Sequence, residues 1–103
     1  MQIVKDKAEF DEILKENPSV FVDFFATWCG PCKMLAPVVE SLSEKNEDVT
    51  FVKVDVDECS DIAQEFGIMS IPTLIVFKNG EMVDKTIGFQ QEEELQKVID
   101  KAK

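Results

Sequence analysis

The chain has 103 residues, 45% of them apolar, with 21 acidic side chains against 11 lysines and arginines and no histidine. Its formal charge of −10 argues against nucleic acid or an anionic membrane as a partner, since polyanions repel such a surface. Without histidine there is no Ser-His-Asp or Cys-His hydrolase and no imidazole to ligate a metal.

The length suits one domain over residues 1–103, able to bury about 60–70% of its unfolded surface in a single core. Nowhere does an apolar run approach membrane-spanning length. Met1-Gln2-Ile3-Val4-Lys5-Asp6 lacks the features of a signal or transit peptide, so a cytoplasmic location is expected. A reducing cytosol disfavours a structural disulfide, and the odd count of three cysteines points the same way.

Residues 2–5 can form a short first strand. Asp6 followed by Glu9 has capping-box spacing and opens a helix with Phe10, Ile13 and Leu14 as its buried stripe. Asn17-Pro18 ends it, because the residue before proline is pushed out of helical conformation. In Ser19-Val20-Phe21-Val22-Asp23-Phe24-Phe25-Ala26, Val20, Val22 and Phe24 share one strand face and Phe21, Asp23 and Phe25 the other. Both faces are apolar apart from Asp23, as in an interior strand covered on both sides. A carboxylate there is satisfied by hydrogen bonds, turned outward where the strand frays (which would expose its flanking phenylalanines), or held near neutrality by desolvation. In the last case, beneath a thiol, it can act as a general base.

Trp28-Cys29-Gly30-Pro31-Cys32-Lys33 follows where strand gives way to helix, the latter marked by Leu35, Val38, Val39 and Leu42 at helical spacing. Two cysteines so spaced either hold a metal or exchange electrons as a dithiol/disulfide pair. The first turn of a helix offers N–H groups without intrahelical partners, at the positive end of its dipole. A thiolate there gains roughly 0.3–2 kcal/mol over the thiol. Cys29 gains most, and Cys32, one turn deeper, is expected to be the less exposed thiol. Pro31 suits a first turn, whereas Pro37 falls inside the helix and should kink it by removing the bond to the Lys33 carbonyl.

Residues 49–56 form another strand, with Lys53 either packing its stem on the sheet with the ammonium in water or bringing that charge near Asp23. A short helix over 57–66 turns Ile62, Ala63 and Phe66 inward, with Gly67 as its stop. Cys59 falls in its first turn, as a small buried side chain or as the site of an intermolecular disulfide. Ile68-Met69-Ser70-Ile71-Pro72-Thr73 leads into the strand Leu74-Ile75-Val76-Phe77. Asn79-Gly80 signals a hairpin, so 81–87 returns antiparallel, with Gly88 at its end as a candidate bulge. The last helix, over 91–102, buries Leu95, Val98, Ile99 and Ala102, with its glutamates early and its lysines late as the dipole prefers. The order is βαβαβαββα.

Val22-Asp23-Phe24, Ala26-Thr27-Trp28-Cys29-Gly30-Pro31-Cys32-Lys33, Pro37, Lys53-Val54-Asp55, Ile71-Pro72-Thr73, Phe77-Lys78-Asn79-Gly80 and Gly88 together closely resemble the thioredoxin family over the whole length. The resemblance implies an α/β fold with a central five-stranded mixed sheet flanked by four helices, and a disulfide reductase needing no bound cofactor. Cys29 would be the attacking thiolate and Cys32 the resolving thiol. Asp23 would be the buried acid assisting Cys32 through water, with Lys53 its electrostatic neighbour. Pro72 corresponds to the family's cis-proline beside the dithiol. Trp28, Gly30, Pro31, Ile71, Pro72 and Gly88 would form the substrate contact surface, where the Ile71 backbone can pair with an incoming strand. Implied partners are disulfide-bearing proteins and an NADPH-dependent flavoprotein reductase, with the chain a monomer. Phe25 stands where many relatives have tryptophan. Gly30-Pro31 resembles the reducing members, since oxidising and isomerising relatives place a histidine there.

Two other classes compete. The domain can be a scaffold subunit whose redox state is incidental. It can also be a metal protein, though zinc would need a carboxylate beside three cysteines, and an iron–sulfur cluster would need two chains to pool their pairs.

Overall fold

In the computed structural model, which describes residues 1–103, nine elements follow one another. They are β1 (Gln2–Ile3), α1 (Lys7–Glu16), β2 (Ser19–Phe25), α2 (Gly30–Lys45), β3 (Thr50–Asp55), α3 (Ser60–Glu65), β4 (Thr73–Lys78), β5 (Glu81–Ile87) and α4 (Glu92–Asp100). The strands form one mixed sheet in the order β1-β3-β2-β4-β5. β1, β3 and β2 run parallel, while β4 is antiparallel to β2 and β5 to β4. This is the α/β architecture, a five-stranded mixed sheet with four helices, that the resemblance to the thioredoxin family implies.

Alternation along β2 sorts the core into two layers. Val20, Val22 and Phe24 pack with Phe10 and Ile13 of α1 and Ile62 of α3. Phe21, on the opposite face, packs with Leu35, Val39 and Leu42 of α2 and Leu95, Val98 and Ile99 of α4. β2 is therefore interior on both edges and both faces, as its composition demands. No helix is long and apolar enough to cross a membrane.

Local chemistry sets most boundaries. Asp6 caps α1 by accepting from the Glu9 amide at 2.9 Å. The reciprocal arm of the capping box reaches one residue further back than the motif requires, with Glu9 Oε1 accepting from the Lys5 amide at 2.9 Å. Asn79 and Gly80 both have positive φ, 52° and 82°, as a tight hairpin turn between β4 and β5 requires.

The structure corrects three local expectations. β1 is two residues long and stops before Val4, which turns into the core. The irregularity in β5 lies opposite Val76 and Phe77, which pair with Asp84 and Met82 and leave Val83 as the extra residue. Gly88 instead sits just past the strand, donating its amide to the Pro72 carbonyl at 2.8 Å with φ at 89°. α3 begins at Ser60, so Cys59 is its N-cap position rather than part of its first turn. The Asp55 carboxylate holds the preceding residues in a turn by accepting from the amides of Asp57 and Glu58.

Replacing Asp6 by alanine orphans a first-turn donor of α1 and should cost about 1 kcal/mol. A lower urea midpoint with an unchanged m-value would register the loss.

Candidate active site

The C-terminal end of β2 lies between β3 and β4, and the chain leaves it directly into α2. Cys29 is the N-cap residue of α2, with an extended backbone. Its Sγ accepts from the Cys32 amide at 3.2 Å, so an otherwise unpartnered first-turn donor points at this sulfur. Gly30 and Pro31 form the first helical positions, where the missing proline N–H costs nothing. The two cysteines are joined as a disulfide with their Cα atoms 5.2 Å apart. Further along α2, Pro37 cannot donate to the Lys33 carbonyl.

Cys32 was expected to be the more sheltered sulfur; both cysteines are buried, Cys29 4% and Cys32 7% exposed, so burial does not set one apart from the other. A distant loop helps to cover both. The Ile71 carbonyl oxygen lies 3.9 Å from Cys29 Sγ, and Ile71 packs half-buried against Ala26, Cys29 and Cys32. The Ile71–Pro72 peptide bond is cis, Pro72 is buried, and Gly88 closes the loop through its bond to Pro72.

Beneath this surface, Asp23 is 2% exposed. Its Oδ1 has no hydrogen-bond partner, which excludes a carboxylate satisfied by the protein. Burial pushes its pKa up to about 6, opposed by the positive charge of Lys53. Asp23 and Lys53 are opposite one another in the parallel β2–β3 register. The two make no direct ion pair. Lys53 Nζ instead lies 4.4 Å from the centre of the Phe25 ring, within cation–π range. Lys53 thus combines both possibilities open to it: a stem laid on the sheet, and a charge that Asp23 feels.

A depression of about 220 Å³ lined by Phe25, Ala26, Thr27, Cys32, Lys33, Ala36 and Lys53 lies between Lys53 and the dithiol. It has polar groups and ample room for water. Alternation along β2 turns Asp23 to the α2 side of the sheet, as it does Phe21 and Phe25.

Trp28 is 69% exposed, and its indole Nε1 donates to Asp57 Oδ2 at 2.9 Å. Asp57 was not singled out from the sequence. No local sequence signal marks it, since the contact arises from the parallel pairing of Phe25 with Asp55, which sets the residues after β3 beside those after β2. Cys59 stays apart from the pair, buried with its Sγ 3.6 Å from the carbonyls of Val4 and Lys5. Burial, together with Asp61 and other nearby carboxylates, raises its pKa.

Residues 1–101 match the family model described as Thioredoxin. A thioredoxin of Staphylococcus aureus is 52% identical over 103 residues, covering 98% of both chains. One from Mycoplasmoides gallisepticum is 48% identical over 99 residues, 96% of this chain and 99% of the relative. A solved thioredoxin of Plasmodium falciparum superposes with a TM-score of 0.92 at 46% identity, covering 98% of each chain. The oxidised mitochondrial thioredoxin 3 of Saccharomyces cerevisiae gives 0.92 at 40% identity, over 97% of this chain and 93% of that one.

The raised pKa of Asp23 has a consequence for stability. Its value is 3.8 without the fold and about 6 within it, so the folded state holds the proton more tightly. Stability therefore falls as pH rises through this window. The shift corresponds to about 3 kcal/mol at ~1.36 kcal/mol per unit. Asp23→Asn should accordingly stabilise the chain by about 1–3 kcal/mol at pH 7 and by much less at pH 4, measured by denaturant unfolding at both values.

Proposed function

Because the chain belongs to the thioredoxin family and is a thiol-disulfide oxidoreductase acting as a protein-disulfide reductase, we propose that Cys29 is its nucleophile and Cys32 its resolving thiol. The observation that carries this assignment is the Cys32 amide directed at Cys29 Sγ. A donor and a helix dipole aimed at one sulfur favour its ionised form. In the reduced chain the Cys29 thiolate attacks one sulfur of a substrate disulfide. The Cys29–substrate bond forms, the substrate S–S bond breaks, and the first substrate thiolate leaves.

In the second step Cys32 gives its proton through water to Asp23 and attacks Cys29 Sγ, expelling the second substrate thiolate. Two electrons have then passed to the substrate, and the chain ends with Cys29 joined to Cys32. Both released thiolates take up protons from solvent or from Asp23. An acid of pKa about 6 is mainly ionised near pH 7 and ready to accept. Lys53 opposes the desolvation of Asp23 and keeps it available as a base. Trp28, Gly30, Pro31, Ile71, Pro72 and Gly88 form the surface on which the substrate segment docks, with the Ile71 carbonyl beside the reacting sulfur.

Membership of the family implies disulfide-bearing substrates and a thioredoxin reductase as partners. We further assign the reductase to the NADPH-dependent flavoproteins and take the chain, residues 1–103, as a single monomeric domain working in the cytoplasm. The Gly30-Pro31 dipeptide supports the reducing direction.

Cys32→Ser mixed with a disulfide-containing protein should accumulate a covalent adduct on a non-reducing gel, released by dithiothreitol. Cys29→Ser should form none and reduce nothing. Adducts trapped by Cys29→Ser instead of Cys32→Ser would reverse the two roles. Stopped-flow resolution of the mixed disulfide should be about tenfold slower in Asp23→Asn near pH 7. The gap should narrow above about pH 9, where a cysteine of ordinary pKa ionises unaided. An unchanged pH profile would remove Asp23 from the mechanism.

A further inference from the structure

Met69 is 96% exposed, the highest value among the large apolar side chains of the chain. So little of it touches the protein that folding gives no reason for a thioether at this position. Nor is it carried on a slack segment. Before it, the Ile68 amide donates to the Ala63 carbonyl at 2.9 Å. After it, the Thr73 hydroxyl donates to the Ser70 carbonyl and Gly88 holds Pro72. The backbone is pinned on both sides while the side chain projects freely.

Its neighbourhood says what can cover it. Met69 is two residues from Ile71, so their Cα atoms are at most about 7.6 Å apart. The Ile71 carbonyl is 3.9 Å from Cys29 Sγ. Any disulfide attacked by that sulfur must come within bonding distance of it, which brings the flanking substrate residues over Ile71 and into reach of Met69. Methionine is long, unbranched and polarisable, so it adapts to differently shaped apolar partners.

We infer that Met69 is a specificity-determining residue, which packs on an apolar side chain flanking the attacked cysteine and so favours disulfides with a large aliphatic or aromatic neighbour. This rests on the reductase assignment above and extends it to the class of substrate. The acceptor's own chemistry is unaffected: electrons still pass from the dithiol to the substrate disulfide.

The test compares the wild-type chain, Met69→Ser and Met69→Leu on two disulfide peptides that differ only by leucine or serine beside the cysteine. Bis(2-hydroxyethyl) disulfide, which has no flanking residue, serves as a third substrate. Met69→Ser should lose about five- to tenfold in kcat/KM on the leucine peptide, as expected for partial burial of one apolar side chain. It should change less than about twofold on the serine peptide and the small disulfide. Met69→Leu should restore the preference. An equal leucine-to-serine ratio in all three proteins, with small-disulfide turnover intact, would overturn the inference and leave the reductase assignment standing. Failure of the wild-type chain on all three disulfides would overturn both.

Discussion

Strand β2 has a neighbour on each edge and helices over each face, and a slip of one residue would turn every side chain to the wrong layer. The end of this strand is consequently the best-determined point in the molecule. Cys29 follows it by four residues and caps α2, which is itself packed through Leu35, Val39 and Leu42. The reactive sulfur is held by the same burial that holds the core together. Its donor is a backbone amide, which cannot rotate away as a side-chain donor can.

The same constraint accounts for the tension at Asp23. A carboxyl inserted into a doubly covered strand has, at Oδ1, no hydrogen-bond partner in the protein, so the fold is weakened wherever that group is charged. Lys53 relieves part of the cost from the adjacent strand without contacting it. A direct ion pair would hold the carboxylate low and make it a poor base. An apolar residue in place of Lys53 would leave it protonated to higher pH. Lys53 Nζ lies over the Phe25 ring rather than on the carboxylate, and the Asp23 pKa stands at about 6 between these limits, at a cost in stability.

What could be read from the residues was what they determine locally or by alternation. The Asp6–Glu9 cap, the two faces of β2, the Asn79-Gly80 turn and the α4 stripe all depend on near neighbours in the chain. The features that escaped depend on distant segments. Ile71, which packs over both cysteines, is 42 residues from Cys29, and the indole partner Asp57 is 29 residues from Trp28. Val83 is the extra residue only because of how β5 pairs with β4. Cys59 lies outside α3 because Asp55, at the end of β3, captures the amides of Asp57 and Glu58. The position of Asp23 was legible, but its orphaned oxygen and the offset of Lys53 required coordinates.

The displaced residue in β5 bears on a different problem. β5 is an outer strand of the sheet, carrying Met82, Val83 and Ile87 in the open, and an unpaired strand edge is a template for aggregation. Val83 breaks the ladder there, and the Lys85 amide is already taken by Asp84 Oδ1 at 2.8 Å. The other oxygen of Asp84 is tied to Lys101 at 2.9 Å. The exposed apolar flank of the sheet is thereby made a poor template for fibril growth.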